Sequence, residues 1–500
     1  MQAAQWILKH AVSGAHLCSD SRAIAQGDVF FAYPGTRQDG RDYIAQAISQ
    51  GAALVIAEKE NFDASSISAV PILTVPRLKE TAGEIADAYY AHPTQHLKVI
   101  GITGTSGKTT TAQWTAHCLN VLGKKCAVIG TLGSGFIGAQ QPTGFTTPPA
   151  VELQRLFADL RQQGAKAAAI EVSSIGLAEH RLKGTHFNTG VFTNLSHDHL
   201  DYHGDMERYE AAKRLLFEWP QLETAVVNLD DAAGQRLAKF VATQAPTVKL
   251  ITYSTQGMDP LMGIAVHTAL FIKQWAWTTQ GAQVQVSDGE FVHTLNLPAF
   301  GVFNVANALA VAGVLQADGF SLEQATQVLK TVPAVEGRLN ALGGTKQPLV
   351  IIDYAHKPDA LEKVLLAMRP VAQQRKAKLI CVFGCGGNRD PSKRPVMAEI
   401  ACKHADEVIV TSDNPRAEDP LTIISHILKG IPTGFEVNTQ PDRGKAIAQA
   451  IHQATAADIV LVAGKGHEPY QEILGVKYPF SDTEHAQAAL AVWQEKVPSC

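Results

Sequence analysis

Charge is scarce and nearly balanced in this chain. Only 18% of its 500 residues are charged, and 43 basic against 47 acidic side chains leave a formal charge of -4. No large basic field exists to hold a nucleic acid or an anionic membrane. Long apolar runs are missing as well: each is broken by charge or glycine well before the roughly 20 residues that a membrane-spanning helix requires. The opening segment MQAAQWILKHAVSGAHLCSDSR lacks the charged-then-apolar layout of a secretory signal, so a soluble, cytoplasmic protein is expected. Cysteine is sparse too. Seven are scattered along the chain, and only Cys381 and Cys385 stand close, in CVFGC. An odd, dispersed set argues against a disulfide frame or a zinc site and for reduced thiols. The absence of short-period repeats and low-complexity tracts excludes solenoids and disordered tails.

What is present is length and alternation. With 46% hydrophobic residues the chain is globular, and 500 residues exceed one ordinary core, which suggests about three domains. In residues 1–92, strand-like DVFFAYP, ALVIAE and PILTV alternate with helical YIAQAISQGA and KETAGEIADAYY, up to the turn signal His92-Pro93. This predicts a small α/β domain. From 93 to 335, LKVIGIT runs into a glycine-rich loop and the helix KTTTAQWTAHCLNVLG, followed by AAAIEVSS, TAVVNLDD, KLITYS and the helix NVANALAVAGVLQADG. A mainly parallel sheet is expected there. After a linker around VPAVEGRLNAL, residues 336–500 alternate again through PLVIIDY, KLICVFG, EVIVTSD and DIVLVAG, which predicts a Rossmann-like α/β domain.

The strongest chemical signal is Gly101-Ile-Thr-Gly-Thr-Ser-Gly-Lys-Thr-Thr110 between a buried strand and a helix. Glycines let backbone N–H groups close around phosphate, and the helix N-terminus adds positive potential. Lys108 is expected to neutralise the outer phosphates of ATP, and Thr109 to offer its hydroxyl to Mg²⁺. Ile102 stands where the general pattern has its first glycine, so the usable core is GTSGKTT. Glu171 ends the strand AAAIEV, an edge where α/β proteins place ligand-binding groups or simply a solvated carboxylate. The tract Asn194-Leu-Ser-His-Asp-His-Leu-Asp-Tyr-His-Gly204 suits hard-cation or phosphate contacts, or an ordinary polar turn. In ERYEAAKRLLF, periodicity gives Lys213 as a solvated lysine beside an i,i+4 Glu210–Arg214 pair.

The ordered set GTSGKTT, EVSS, TNLSHDHLDYHG, YEAAKRLL, FNVANALA, EGR, DYAHKPDAL, VFGCGGNRDPSKRP, DNPR and AGKGHE resembles the Mur ligase family across almost the whole chain. That resemblance implies three domains: a uridine-binding domain, a central P-loop ATPase domain and a C-terminal domain for the incoming amino acid. It implies ATP contacts at Gly104, Thr105, Ser106, Gly107, Lys108, Thr109 and Thr110, with Asn304 and Asn307 reading adenine and Arg338 and Asp353 at phosphate and ribose. Thr109 and Glu171 would hold one Mg²⁺ and His199 a second. Lys213 matches the lysine that carries CO₂ as a carbamate. Ser19, Ser21, Thr36, Arg37 and Gln38 match uridine contacts; Thr146, Thr147, Ser173, Glu179 and Arg181 match contacts to the peptide precursor. The sequence departs from the family pattern at Ile175, Glu179, Lys357 and Asn388, none of which touches phosphate chemistry.

The motif Asp413-Asn414-Pro415-Arg416 implies which amino acid is added. Meso-diaminopimelate differs from L-lysine by one carboxylate, and a guanidinium such as that of Arg416 binds carboxylates through paired charge-assisted hydrogen bonds. Arg389, Gly464 and Glu468 match the remaining contacts, Glu468 suiting an ammonium. The expectation is a monomeric ligase that joins meso-diaminopimelate to UDP-N-acetylmuramoyl-L-alanyl-D-glutamate. The alternatives are a lysine-adding or folylpolyglutamate synthase-like ligase, or a P-loop ATPase that acts as a switch or regulator.

Overall fold

The structure, a computed structural model, describes residues 2–36, 38–64, 69–257, 265–278, 281–335, 339–344 and 346–493. They fall into two compact units, Met1–Lys273 with Val286–His293 and Ala306–Leu329, and Gln274–Gln285 with Thr294–Val305 and Lys330–Cys500.

The first unit opens with a parallel sheet of β1 (Leu17–Cys18), β2 (Val29–Ala32), β3 (Leu54–Glu58) and β4 (Ile72–Val75), in that order. Successive side chains of a strand point to opposite faces. Val29, Phe31, Leu54 and Ile56 therefore join one apolar cluster, while Phe30, Ala32, Val55 and Ala57 join another. Both faces are covered, which is why these strands read as continuous apolar runs.

The larger sheet contains β5 (Lys98–Thr103), β6 (Cys126–Gly130), β7 (Gly133–Gly135), β8 (Ala167–Glu171), β9 (Thr189–Phe192), β10 (Thr224–Asn228), β11 (Lys249–Ser254) and β12 (Thr268–Thr278). Their order is β12-β11-β10-β9-β5-β8-β6-β7, and only β7 among these runs antiparallel. Sequence alternation found β5, β8, β10 and β11. It left β6, β9, the helix Ala150–Gln162 and the strands β12, β13 (Gly281–Ser287) and β14 (Val292–Leu297) unread. That helix buries Val151, Leu153, Phe157 and Leu160 at helical spacing. Its Val151 packs into the core beneath the first sheet, and the helix lies against the one at Leu78–Tyr89.

The second unit is built on β15 (Asn340–Gly343), β16 (Leu349–Asp353), β17 (Leu379–Phe383), β18 (Glu407–Thr411), β19 (Val437–Gln440) and β20 (Ile459–Ala463). The order is β15-β16-β20-β17-β18-β19, parallel except for β15, which bears out the expected Rossmann-like alternation. A hairpin of β21 (Tyr470–Ile473) and β22 (Val476–Pro479) follows. Parallel strands place their C-terminal ends along one edge, and the loops leaving β16, β17, β18 and β20 carry the residues singled out in sequence.

A buried ion pair ties the helix Arg443–Gln453 to the C-terminal helix Asp482–Ala491. Arg443 donates from Nε and Nη2 to the two carboxylate oxygens of Asp482, each at 2.7 Å, with both side chains 0% exposed. Arg443 also donates to the carbonyls of Ser412 and Ala463, at 3.4 and 3.1 Å. Removing one partner strands the other charge out of water. Asp482→Ala is expected to lower the stability of this unit by about 3–5 kcal/mol, seen as a fall in the urea midpoint. A midpoint unchanged from wild type would show that the pair carries no such weight.

Candidate active site

The phosphate loop leaves β5 and enters the helix Lys108–Val121. At Gly104 φ is +144°, and a Cβ there would lie 1.9 Å from Thr193 Oγ1, so no side chain fits. The loop rests on the end of β9. Thr105 N donates to Asn194 O at 2.9 Å, Ser106 N to Asn194 Oδ1 at 3.0 Å, and Thr193 Oγ1 to Ser106 O at 2.6 Å. Tyr209 packs below, its hydroxyl 3.1 Å from Thr105 Oγ1. Thr110 is buried in the first turn of the helix, and a Cβ on Gly107 would meet Asn307 Oδ1 at 2.6 Å.

Two lysines converge on one carbonyl. Lys108 Nζ donates to Gly104 O at 2.9 Å and to Thr105 O at 3.0 Å; Lys213 Nζ also donates to Gly104 O, at 2.9 Å. Two full positive charges so close repel strongly where water cannot screen them. Lys213 is the one that yields. It is 2% exposed, on the helix Met206–Arg214, and burial followed by the Lys108 charge pushes its pKa well below the ordinary lysine value. The solvated lysine read from periodicity is therefore corrected. So is the neighbouring ion pair: Glu210 pairs with Arg236 at 2.6 Å, and Arg214 with Glu218 at 2.8 Å.

Glu171, at the end of β8, is 1% exposed and is a collecting point for donors. Thr109 Oγ1 donates to its Oε2 at 2.9 Å and Thr131 N to its Oε1 at 2.8 Å, while the Thr131 hydroxyl reaches Oε2 at 3.3 Å. Among the described residues no group of three or more His, Cys, Asp or Glu is arranged to hold a metal. A hard cation here would take the Thr109 hydroxyl and the Glu171 carboxylate, and complete its shell from phosphate and water, the habit of Mg²⁺. His199 lies at the start of the helix Leu200–His203 with φ +54°; its Nε2 is 3.7 Å from Asp198 Oδ2 and its ring centroid 6.3 Å from that of Tyr209.

Next to Glu171 the expected peptide-precursor residues form a connected set. Thr146 Oγ1 is 3.1 Å from Thr131 Oγ1, and Thr147 Oγ1 donates to Glu171 O at 2.8 Å. Ser173 N donates to Thr147 Oγ1, and Arg181 Nη1 to Thr147 O, at 3.0 and 3.1 Å. Glu179 is held by Lys79 and the Tyr202 hydroxyl; burial raises its pKa, and those two partners bring it below the usual carboxylate value. Ser19 sits elsewhere. Its N and Oγ donate to the Glu152 carboxylate at 2.6 and 2.8 Å. Ser21 is buried and bonds Gln46 Oε1 at 3.3 Å; Thr36 and Gln38 are exposed, and Arg37 lies outside the described residues.

On one helix, Val302–Ala317, Asn304 Nδ2 donates to Phe300 O at 2.9 Å, and Asn307 Oδ1 accepts from Thr111 Oγ1 at 3.4 Å. Both are buried. Asp353, at the end of β16, accepts from Leu339 N at 2.8 Å; Arg338 lies outside the described residues.

In the second unit the turns after β17, β18 and β20 interlock. Arg416 has φ +53°, a left-handed conformation that costs a non-glycine residue roughly 1–2 kcal/mol. It is held there because Arg416 N donates to Glu472 O at 2.9 Å and Leu474 N to Arg416 O at 2.6 Å. Its guanidinium donates from Nη1 to Gly387 O at 2.9 Å, with Nε 3.4 Å from Glu472 Oε2. Pro415 O accepts from Glu418 N, and Arg389 projects into solvent from the β17 turn. Gly464 has φ +126°, and a Cβ there would meet Asp413 Oδ2 at 2.5 Å. Asn414 Nδ2 donates to Glu468 Oε2 at 2.7 Å. Burial raises the Glu468 pKa, but Lys465 and Asn414 more than offset it and hold the carboxyl below its ordinary value. Reading the sequence missed Thr131, Glu152, Tyr209, Lys465 and Glu472. Lys465 sits inside the quoted AGKGHE, whereas nothing local marks Glu152, which meets Ser19 across 133 residues.

Three family profiles match the chain: the Mur ligase family catalytic domain over residues 15–90, the Mur ligase middle domain over 102–315, and the Mur ligase glutamate ligase domain over 337–466. The UDP-N-acetylmuramoyl-L-alanyl-D-glutamate--2,6-diaminopimelate ligase of Acidovorax sp. (strain JS42) is 46% identical over 497 residues, 98% of this chain and 97% of its own length. A solved structure of an enzyme of that same name is 35% identical, with a TM-score of 0.70 over 95% of this chain and 94% of that one. A MurF ligase from Thermotoga maritima in complex with ADP shares the fold, at 19% identity and a TM-score of 0.63 over 91% and 94%.

Because Gly104 can carry no side chain against Thr193, Gly104→Ala is expected to weaken binding of a non-hydrolysable ATP analogue by roughly 10-fold or more. Titration calorimetry on the folded variant measures it. Affinity equal to wild type would mean that the loop opens without cost.

Proposed function

The chain belongs to the Mur ligase family, and from that premise we propose the reaction it carries out. It is an ATP-dependent peptide ligase that joins meso-2,6-diaminopimelate to the D-glutamate side-chain carboxylate of UDP-N-acetylmuramoyl-L-alanyl-D-glutamate, yielding ADP and phosphate, in peptidoglycan precursor synthesis. Relatives of that name match nearly end to end. Residues 1–92 serve the uridine end of the precursor, 93–335 serve ATP and the peptide, and 336–500 serve the incoming amino acid. Its substrates are cytoplasmic metabolites, so we place the monomeric enzyme in the cytoplasm. No helix among the described residues is long and apolar enough to cross a membrane.

A carboxylate and an amine do not condense unaided in water, so the carboxylate must first gain a leaving group. The D-glutamyl oxygen attacks the γ-phosphorus, the bond to the bridging oxygen breaks, and an acyl phosphate and ADP result. The loop amides of residues 104–110 and the Lys108 ammonium gather the charge that shifts to the β-phosphate, so catalysis here is positional and electrostatic. Asn304 and Asn307 serve adenine, and Arg338 and Asp353 the rest of the nucleotide. The diaminopimelate amine then attacks the acyl carbon; phosphate departs and the nitrogen gives up its proton. Mg²⁺, held by Thr109 and Glu171 with His199 at a second ion, would supply charge neutralisation at the phosphates. Ser19, Ser21, Thr36, Arg37, Gln38, Thr146, Thr147, Ser173, Glu179 and Arg181 orient the precursor. Arg416 binds the second carboxylate of diaminopimelate and Glu468 its ammonium, aided by Arg389, Asp413, Asn414, Pro415 and Gly464.

The observation that carries this reading is the pair of lysines on the Gly104 carbonyl. A buried lysine whose ammonium form is disfavoured offers its free amine to CO₂ more readily than a solvated one. Addition forms an N–C bond, releases a proton and turns Lys213 into an anionic carbamate suited to a cation site. A P-loop switch or motor has no need of that amine. Lys213→Ala is expected to lose roughly 100-fold or more of the ligase rate, with short carboxylic acids restoring part of it. Full activity without rescue would return Lys213 to a packing role. A second assay separates the reaction classes. Phosphate release should require both the UDP-dipeptide and diaminopimelate, with L-lysine a poor substitute; release independent of the amino acid would mark a plain ATPase.

A further inference from the structure

Lys465 is a completely buried cation in the second unit, and the reaction as described above makes no use of it. Its relative exposure is 0%. Nζ donates to Asn414 Oδ1 and to Glu468 Oε2, each at 3.0 Å, and lies 5.6 Å from the Tyr470 ring centroid. A charge sealed this well is expensive unless its partners are fixed around it. Those partners belong to two different turns, one after β18 and one after β20.

The contacts determine how both partners are oriented. Asn414 Oδ1 accepts from Lys465 Nζ and from Glu472 N, the latter at 2.9 Å, so its amide nitrogen must face the other way. There it donates to Glu468 Oε2 at 2.7 Å. An asparagine amide is assigned from its neighbours, and a cation on one side with a carboxylate on the other permits one orientation. Glu468 Oε2 is thus held by two donors. Its Oε1 is engaged only by the Tyr354 hydroxyl among the described residues, at a long 3.4 Å. The carboxylate therefore presents one committed oxygen and one available oxygen.

We propose that Lys465 is a positioning residue for the incoming amino acid: by clamping Glu468 Oε2 and Asn414 Oδ1 it aims Glu468 Oε1 at an ammonium group of diaminopimelate. This rests on the reading of Glu468 as the ammonium acceptor. The cation itself does not touch the substrate. It acts by removing the rotational freedom of a carboxylate that would otherwise have to be ordered at each binding event.

Steady-state kinetics on the full-length enzyme test it. Lys465→Met keeps an unbranched side chain, one atom shorter, and removes the charge and all three donors. KM for diaminopimelate should rise by roughly 10- to 100-fold, the worth of a hydrogen bond to a charged group. The kcat should stay within about 3-fold, and KM for ATP and for the UDP-dipeptide should not move. In a double-mutant cycle, Lys465→Met should add little to the KM change of Glu468→Gln, because it acts through that carboxylate. Fully additive effects, or an unchanged KM for diaminopimelate in an enzyme whose wild type uses it, would overturn the proposal alone. If the wild-type enzyme shows no dependence on diaminopimelate, the functional reading fails and the proposal with it. Should Lys465→Met not fold, Lys465→Gln, which keeps a donor without the charge, is held to the same split between KM and kcat.

Discussion

One carbonyl oxygen, that of Gly104, accepts from two lysine amines, and the chemistry of the central domain follows from it. Lys108 is only half-buried and also donates to the carbonyl of Thr105. Lys213 is sealed below, where desolvation and its neighbour's charge both disfavour the ammonium form. The same carbonyl thus gathers a half-buried lysine and a sealed amine of altered character. The absence of a Cβ at Gly104 is what lets the loop lie on Thr193 and bring that carbonyl within reach of both.

Glu171 plays the matching part for the hydroxyls. Its carboxylate terminates β8 beside β5 and gathers Thr109 from the phosphate helix and Thr131 from the loop after β6. Through Thr147, which donates to its backbone carbonyl, the cluster continues to Ser173 and Arg181. Thr109, Thr131 and Thr147 are therefore fixed by one strand end. The Ser19–Glu152 contact extends this linkage to the first sheet, since Glu152 comes from a helix that also packs into the core of that sheet.

In the second unit the recurring device is a turn stabilised by another turn. Arg416 holds a left-handed backbone conformation because a hairpin strand pairs with it, and its guanidinium is steadied by the turn after β17. Asn414 and Glu468 are joined through Lys465. These loops lie at the C-terminal edge of a parallel sheet, where a stiff scaffold lets short loops carry precise polar groups.

The sequence alone announced the mainly parallel alternation of the two larger sheets and many of their strands, because strands buried on both faces leave unbroken apolar runs such as LVIID and IVLVA that need no partner to be recognised. It also determined the phosphate loop, since its glycines, lysine and threonine are contiguous and act through the backbone they belong to. Tertiary structure alone decided that Lys213 is buried. On its helix it reads as a solvated lysine beside Glu210 and Arg214, and only the packing of that helix under the phosphate loop buries it. The same holds for the contacts of Glu152 with Ser19 and of Lys465 with Asn414, which span 133 and 51 residues. Local pattern records which face of an element is apolar. It does not record which distant polar group will be waiting there, because burial and electrostatic coupling are properties of the assembled fold.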